Sequence, residues 1–359
     1  MAKKKKKLTT GIIIGRVILV LLTVILGIAL ALTISLATII KGPSESARDT
    51  FVTTVLESGN LKFLATVFLS EEEVNEIVAK TSMQKLDDDV DTELIDSETE
   101  VKGNFDKNGI EIQNIYGTDY TAVMMIVKDP SKVFVGTSYN NGWSEYGKNL
   151  DVLVDDYKAI GGVNGGLYAA DMNKGGSPYG VCVSKGEIQH NKPYEYSDLY
   201  MIGFDKNNIL IIQDINGWSS QKFTDYVNEQ GIRDAVAFQD KMGADTNHFV
   251  PLIINGEARE LSGSGSGANP RTAIGQRADG AVLLLVTDGR GSNGHLGATA
   301  ADLISIMEDY GAVNAANLDG GSSTSMYYDN KYLKSSVTLY YDNKSWRLPT
   351  SFLVMGGGQ

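Results

Sequence analysis

Between Arg16 and Lys41 the chain runs from Val17 to Ile40 without one charged side chain. A helix needs about 20 apolar residues to cross the hydrocarbon core of a bilayer. This run is long enough and is apolar on every face, whereas a helix of a globular domain shows one apolar stripe. Lysines fill positions 3–7 ahead of it, and only Lys41 follows it directly. That excess of positive charge places the N-terminus in the cytoplasm and residues 42–359 outside the cell. The rival reading is a cleaved signal peptide, cut after Ala37, but its apolar region is usually about 7–15 residues, shorter than this one. The expectation is a cytoplasmic basic tail over 1–16, an uncleaved single-pass anchor over 17–40 and an extracellular remainder.

Charge then limits the partners of that remainder. The net charge is −12, yet residues 1–41 hold seven Lys and Arg and no acid. Residues 42–359 therefore combine the other 25 basic residues with all 44 acidic ones. So acidic a surface repels a phosphate backbone and argues against nucleic acid. An anionic ligand must be gripped by a local cluster of arginines and backbone N–H groups. Cys182 is the single cysteine, so no intramolecular disulfide is expected, and between Val181 and Val183 it reads as a buried, inert thiol. His190, His248 and His295 are scattered and make no zinc pattern with it. No cofactor is required, although one Ca²⁺ or Mg²⁺ on carboxylate oxygens stays open.

Residues 41–100 read as a helical stalk with an acidic linker. Ser44 suits an N-cap for a helix beginning at Glu45, and a second helix fits Leu61–Leu69. Ser70 and Glu73 have capping-box spacing for a third, Glu71–Thr81. The acidic stretch 86–100 lacks the central glycine of an EF-hand loop and reads as a solvated linker.

From Val101 to the end the pattern changes to strands and Gly/Asn turns, and it echoes itself. Thr121–Lys128 and Lys132–Thr137 read as a hairpin, followed by a helix Val152–Lys158 and a strand leading to Asn164-Gly165-Gly166. Thr272–Gln276 and Ala281–Thr287 read as another, followed by a helix Thr299–Tyr310 and a strand leading to Asp319-Gly320-Gly321. A weaker third copy runs through Ile209–Ile212, Ser219–Asn228 and Gly231–Phe238. The expected fold is α+β: a mixed sheet core covered by helices, in pseudo-symmetric β-β-α-β units. Chemistry is expected where the Asn164 and Asp319 strand ends meet.

Several residues there suit an anionic substrate. Asp288 and Asp319 each follow an apolar run, where a carboxylate is costly unless it is paired or functional. Two carboxylates at neighbouring strand ends are the usual apparatus for cleaving glycosidic bonds. Arg271 and Arg290 flank the first run, and the planar guanidinium fork suits phosphate. The glycine pairs 165–166 and 320–321 permit close approach, and their successive N–H groups could make an anion nest. Ser322, Ser323 and Thr324 offer hydroxyl donors. The Gly/Ser loop Ser262–Gly267 is flexible enough to close on ligand. His295 sits in SNGHLG and reads as a surface loop residue. Tyr139, Trp143, Trp218 and Phe249 suit either sugar stacking or core packing.

The ordered set GGVNGGLY, YGVCVSKGEI, NPRTAIG, LLLVTDGR and LDGGSSTSMYY resembles the phosphodiester glycosidase family over roughly residues 101–357, including its bacterial exopolysaccharide-biosynthesis-type proteins. The resemblance implies hydrolysis of a sugar-1-phosphodiester at the glycosyl side. It implies Arg271 with Thr272, Arg290, Ser322 and the glycine pairs at the phosphate, Asp319 or Asp288 as base or nucleophile, and Asn164 on sugar or water. A glycopolymer or sugar phosphate is the implied partner. Two alternatives keep the same residues: a non-catalytic glycan-binding or assembly protein, and a metal-dependent phosphodiesterase.

Overall fold

A computed structural model describes residues 10–57, 61–86, 88–97, 99–170, 173–243, 248–336 and 344–357. The lysine run at 3–7 and the centre of the 240–248 loop lie outside the described residues. Helix α1 (Thr10–Lys41) contains the whole uncharged run and exposes its apolar side chains along most of its length, up to the Leu36 and Ile40 turns. It is the one described helix long and apolar enough to cross a membrane. Thr23, Thr33 and Thr38 return their hydroxyls to carbonyls four residues back, each at 2.8 Å, so even its polar side chains are satisfied without water.

Helix α2 (Glu45–Leu56) starts where the N-cap predicts, with Ser44 Oγ accepting from the Ala47 N–H at 3.2 Å. A 3₁₀ turn, Lys62–Thr66, stands where a full second helix was expected. Helix α3 (Glu71–Lys80) carries the complete Ser70–Glu73 capping box. Ile40 of α1 packs with Val52 and Leu56 of α2 and with Val74 and Ile77 of α3 in a small separate core. The acidic stretch is no free linker. Ile95 is buried against the main body, the Asp96 N–H donates to the Ala278 carbonyl, and Lys85 pairs with Asp214. Spaced apolar residues at Leu86, Val90 and Ile95 strap it down, while Asp88, Asp89, Asp91, Glu93, Asp96 and Glu100 are exposed.

The strands, with their helices, are β1 (Ile110–Tyr116), β2 (Thr121–Val127), β3 (Val133–Thr137), α4 (Leu150–Asp156), β4 (Gly161–Asn164), β5 (Val181–Ser184), β6 (Glu187–Asn191), β7 (Leu199–Asp205), β8 (Leu210–Asp214), α5 (Ser220–Gln230), β9 (Ile232–Gln239), β10 (Pro251–Ile254), β11 (Glu257–Ala258), β12 (Thr272–Arg277), β13 (Val282–Thr287), α6 (Ala300–Asp309), β14 (Ala312–Asn317), β15 (Ser325–Tyr328), β16 (Lys331–Ser335) and β17 (Thr350–Val354). They form three sheets, ordered β1-β2-β13-β12-β14-β10-β11, β16-β15-β4-β17-β3 and β6-β5-β9-β7-β8. The class is α+β, as expected. The described strand pairings are antiparallel, which corrects the expected mixed pairing. Inner faces of all three sheets meet in one core, where Phe204 and Phe352 pack edge to face at 6.3 Å.

The internal echo has a topological counterpart with an unexpected partner. β13 leads through α6 to β14, which returns on the far side of β12; β8 leads through α5 to β9, which returns on the far side of β7. β3 leads through α4 to β4, and here the strand between them is β17 from the C-terminal end. The hairpin expected between Thr121–Lys128 and Lys132–Thr137 is therefore absent. β2 joins the seven-stranded sheet, and β3 joins a five-stranded one. Both segments are apolar at nearly every position and buried along nearly their whole length, so each needs cover on both faces, which two different sheets supply. The 3₁₀ turn Pro130–Lys132, capped by Asp129, redirects the chain between the sheets.

Candidate active site

The ends of β4 and β14 and the starts of β12 and β15 converge, and Asn164 is the joint. It is fully buried at the end of β4. Its Oδ1 accepts from Thr272 Oγ1 at 2.7 Å and from the Ser325 N–H at 3.1 Å, while its Nδ2 donates to the Asp319 carbonyl at 2.6 Å. Asn164 and Thr272 thus use polar groups to hold strands from two sheets together. The glycine N–H groups are also committed. Those of Gly165 and Gly166 go to Thr350, that of Gly320 to Asp319 Oδ1 at 3.0 Å, and that of Gly321 to the Pro270 carbonyl at 2.8 Å. The expected anion nests are therefore already filled by protein acceptors.

Asp319 follows β14 by two residues and sits half-buried at this junction. Burial pushes its carboxyl up to about 7, and the Ser323 hydroxyl, the Gly320 N–H and the nearby Arg290 keep it from rising further. Tyr168 OH lies 2.8 Å from Ser323 Oγ and fixes that hydroxyl. Arg290 donates from Nη1 to Ser322 Oγ at 2.9 Å. Its guanidinium lies flat on Gly321, where a Cβ would come within 2.6 Å of Nη2. Gly321 also has φ +60°, so both shape and conformation call for glycine. Burial, with Arg271 next, lowers the proton affinity of Arg290, and Asp319 and Glu57 oppose this.

Asp288 ends β13 in quite different company. Its carboxylate is 1% exposed. It accepts from the Thr121 N–H at 2.7 Å and from the Thr121 hydroxyl, lies 3.4 Å from Lys334 Nζ, and lies 3.1 Å from His295 Nδ1. Burial works against its ionisation, but the Thr121 bonds, Lys334 and His295 outweigh it and leave the group below the ordinary carboxylate range. His295, expected on the surface, is half-buried as part of this lock. Two strand spacings across β12, roughly 10 Å, separate the positions at which β13 and β14 end.

Arg271 is buried, stacked at 4.9 Å over the fully buried Phe249. Its Nε donates to the Ala298 carbonyl at 3.3 Å, and its Nη2 donates to the Gly267 carbonyl at 2.8 Å and to Glu57 of the N-terminal segment. Sequence reasoning missed Glu57, Thr121, Tyr168 and Lys334. Tyr168 closes the GGVNGGLY segment without a role being read for it, while Glu57, Thr121 and Lys334 stand in no recognisable motif and arrive through long-range packing. Trp143 donates to the Gln189 carbonyl at 3.2 Å beside Tyr139. Cys182 is buried, with its thiol pushed well up by burial. Among the described residues no three His, Cys, Asp or Glu side chains cluster as a metal site would require.

A carboxylate titrating near neutrality, with hydroxyls and a guanidinium beside it, makes this junction the candidate active site of the α+β scaffold. The model of the phosphodiester glycosidase family matches residues 157–355, more than half of the chain. The chain belongs to the phosphodiester glycosidase family. The zebrafish N-acetylglucosamine-1-phosphodiester alpha-N-acetylglucosaminidase catalytic domain, auto-inhibited by its pro-peptide, has a similar fold, with TM-score 0.51 and 19% identity over 69% of this chain and 82% of that one. A hypothetical protein from Synechocystis matches with TM-score 0.40 and 16% identity over 68% of this chain and 62% of that one. The SPbeta prophage-derived uncharacterized protein YomE of Bacillus subtilis (strain 168) is 40% identical over 67 residues, 19% of this chain. The match spans about a tenth of that relative's length, 10%.

Proposed function

We propose that this chain is a membrane-anchored extracellular hydrolase that cleaves the glycosyl bond of a sugar-1-phosphodiester in a cell-surface glycopolymer or exopolysaccharide. The observation that carries the reading is Asp319, poised to gain or lose a proton at about 7 beside Arg290. A general base works best when its pKa lies near the operating pH. Asp319 takes a proton from water as the water oxygen bonds to the anomeric carbon. The bond from that carbon to the bridging oxygen breaks, and its electron pair stays on the phosphate. Arg290, with Arg271 behind it, balances the charge that develops there. Asn164 holds the Asp319 backbone in place, and Asp288 fixes the loop that carries Arg290. With Asp288 locked by Thr121, Lys334 and His295, one carboxylate remains for the sugar. That favours single displacement with inversion at the anomeric carbon.

The test uses the full chain with UDP-GlcNAc and a GlcNAc-1-phosphodiester in heavy-oxygen water, with and without EDTA. The expected result is heavy oxygen in the sugar and none in the phosphate, unaffected by EDTA. Label in the phosphate would support a phosphodiesterase instead, and no turnover across several sugar phosphodiesters would support a binding protein. Fractionation and protease protection of intact cells test the anchor: residues 42–359 should be cut from outside, with the N-terminus protected.

A further inference from the structure

The segment ahead of the matched family domain puts a buried acid into the arginine cluster. Glu57 follows α2 directly, and its side chain is 3% exposed. The Gly267 N–H donates to Oε1 at 2.7 Å, Asn269 Nδ2 donates to Oε2 at 2.9 Å, and Arg271 Nη2 pairs with the same oxygen. Close by, the Ala268 N–H donates to Thr54 Oγ1 at 3.1 Å. Gly267 lets α2 come this near, since a Cβ there would lie 2.5 Å from the Thr53 carbonyl carbon and the Thr54 nitrogen. Burial raises the proton affinity of Glu57 above that of a free carboxylate, against the pull of Arg271, the Gly267 N–H and Asn269; the ion pair with Arg271 and the two further donors are what hold it as a carboxylate.

The acid sits in the field of both arginines, since Arg290 senses Arg271, Asp319 and Glu57 together. His248 nearby is held neutral, down to about 4, by burial and then by Lys62 and Arg271. Two guanidinium groups against the Glu57 carboxylate leave one net positive charge to set against Asp319, so near pH 8 the site is neutral overall and without Glu57 it carries one positive charge. A phosphodiester carries one negative charge, whereas a phosphomonoester carries about −1.5 to −2 near pH 7. We propose that Glu57 is a specificity-determining residue that trims the charge of the arginine pair so that the site holds a singly charged phosphodiester and releases a doubly charged phosphomonoester. This rests on the proposed function, in which the monoester is the product. The three donors around Glu57 and the glycine under α2 make it a fixed part of the site, from outside the family domain.

The experiment is a phosphorus NMR titration of the full chain in detergent, near pH 8, with dimethyl phosphate and methyl phosphate. These probes share one phosphate group and differ in charge. A buried charge of this kind should change the affinity ratio about tenfold. In Glu57→Gln both probes should bind more tightly, methyl phosphate by about tenfold more than dimethyl phosphate. Glu57→Asp, which keeps the charge, should keep the wild-type ratio. Both probes gaining equally in Glu57→Gln would mean a plug that merely fills the site and would overturn the proposal. Both weakening would mean a scaffold role and would overturn it too, as would no binding by any variant. Should Glu57→Gln not fold, Arg290→Gln gives the converse test. One positive charge fewer must weaken methyl phosphate about tenfold more than dimethyl phosphate, and equal weakening overturns the account. A shifted ratio without heavy oxygen entering the sugar would sink the proposed reaction and leave the charge assignment standing.

Discussion

Asp288 and Asp319 have nearly the same address in the sequence. Each ends an apolar run and precedes glycine, and the two runs form β13 and β14 on either side of β12. Their surroundings reverse their chemistry. Asp288 is locked by Thr121, Lys334 and His295 and stays ionised. Asp319 has burial as its main influence, with fewer compensating donors, and titrates near neutrality. An acid at a buried strand end becomes a strut when its partners outweigh desolvation and a proton carrier when they do not.

The sharpest way to break this contrast is Asp319→Asn. Turnover of the sugar phosphodiester should fall by about 10³-fold with the fold retained, as measured by initial rates and circular dichroism. Near-normal activity would remove Asp319 from the catalytic set. Asp288→Asn should do the reverse. Leaving Lys334 and Thr121 without their acid should cost about 3 kcal/mol of stability in thermal denaturation, while activity per folded molecule stays within about tenfold. If activity vanished and stability held, the two roles would have to be exchanged.

Acidity separates the pair again. A base titrating at about 7 makes the rate fall as pH drops through that value. The stability effects have opposite signs. Asp319 has a raised folded pKa, so its contribution is present below the unfolded value, about 4, and is lost as pH rises through about 7. Asp319→Asn should therefore melt higher than wild type near pH 8 and match it in strong acid. Asp288 has a depressed folded pKa, so its contribution holds above about 4 and is lost as pH falls through the lower folded value. The smallest expected effect is Ser323→Ala. It removes a donor to the Asp319 carboxylate and should move the acid limb of the rate profile to higher pH, read from rates across the pH range.

Local signals carried much of the architecture. The uncharged run, the Ser44 and Ser70 caps, the β12–β13 hairpin and the helices at Ser220 and Ala300 all follow from short-range patterning. Sheet membership did not. β2 and β3 are neighbours in the chain and apolar throughout, and nothing local says that they enter different sheets. The site divides in the same way. Asp288, Arg290 and Asp319 stand out because a charge at the end of an apolar run needs a reason. Asn164 and Thr272 stood out as candidate contacts, but only three-dimensional packing reveals that their polar atoms are used within the protein. Glu57 carried no signal at all, because its partners Gly267, Asn269 and Arg271 lie more than two hundred residues away.

Only Gly42, Pro43 and Ser44 separate α1 from α2, and three residues reach about 10 Å at most. Ile40 of α1 is moreover packed into the same small core as α2, and α2 ends at Glu57 against Arg271. With α1 in a bilayer, the enzyme has almost no tether to pay out. On the proposed anchoring its catalytic radius would be short, and diffusion in the membrane plane would carry it from target to target. A glycopolymer would then be cut near its membrane-proximal end, and lengthening the 42–44 joint with flexible residues should move the cut outward along the chain.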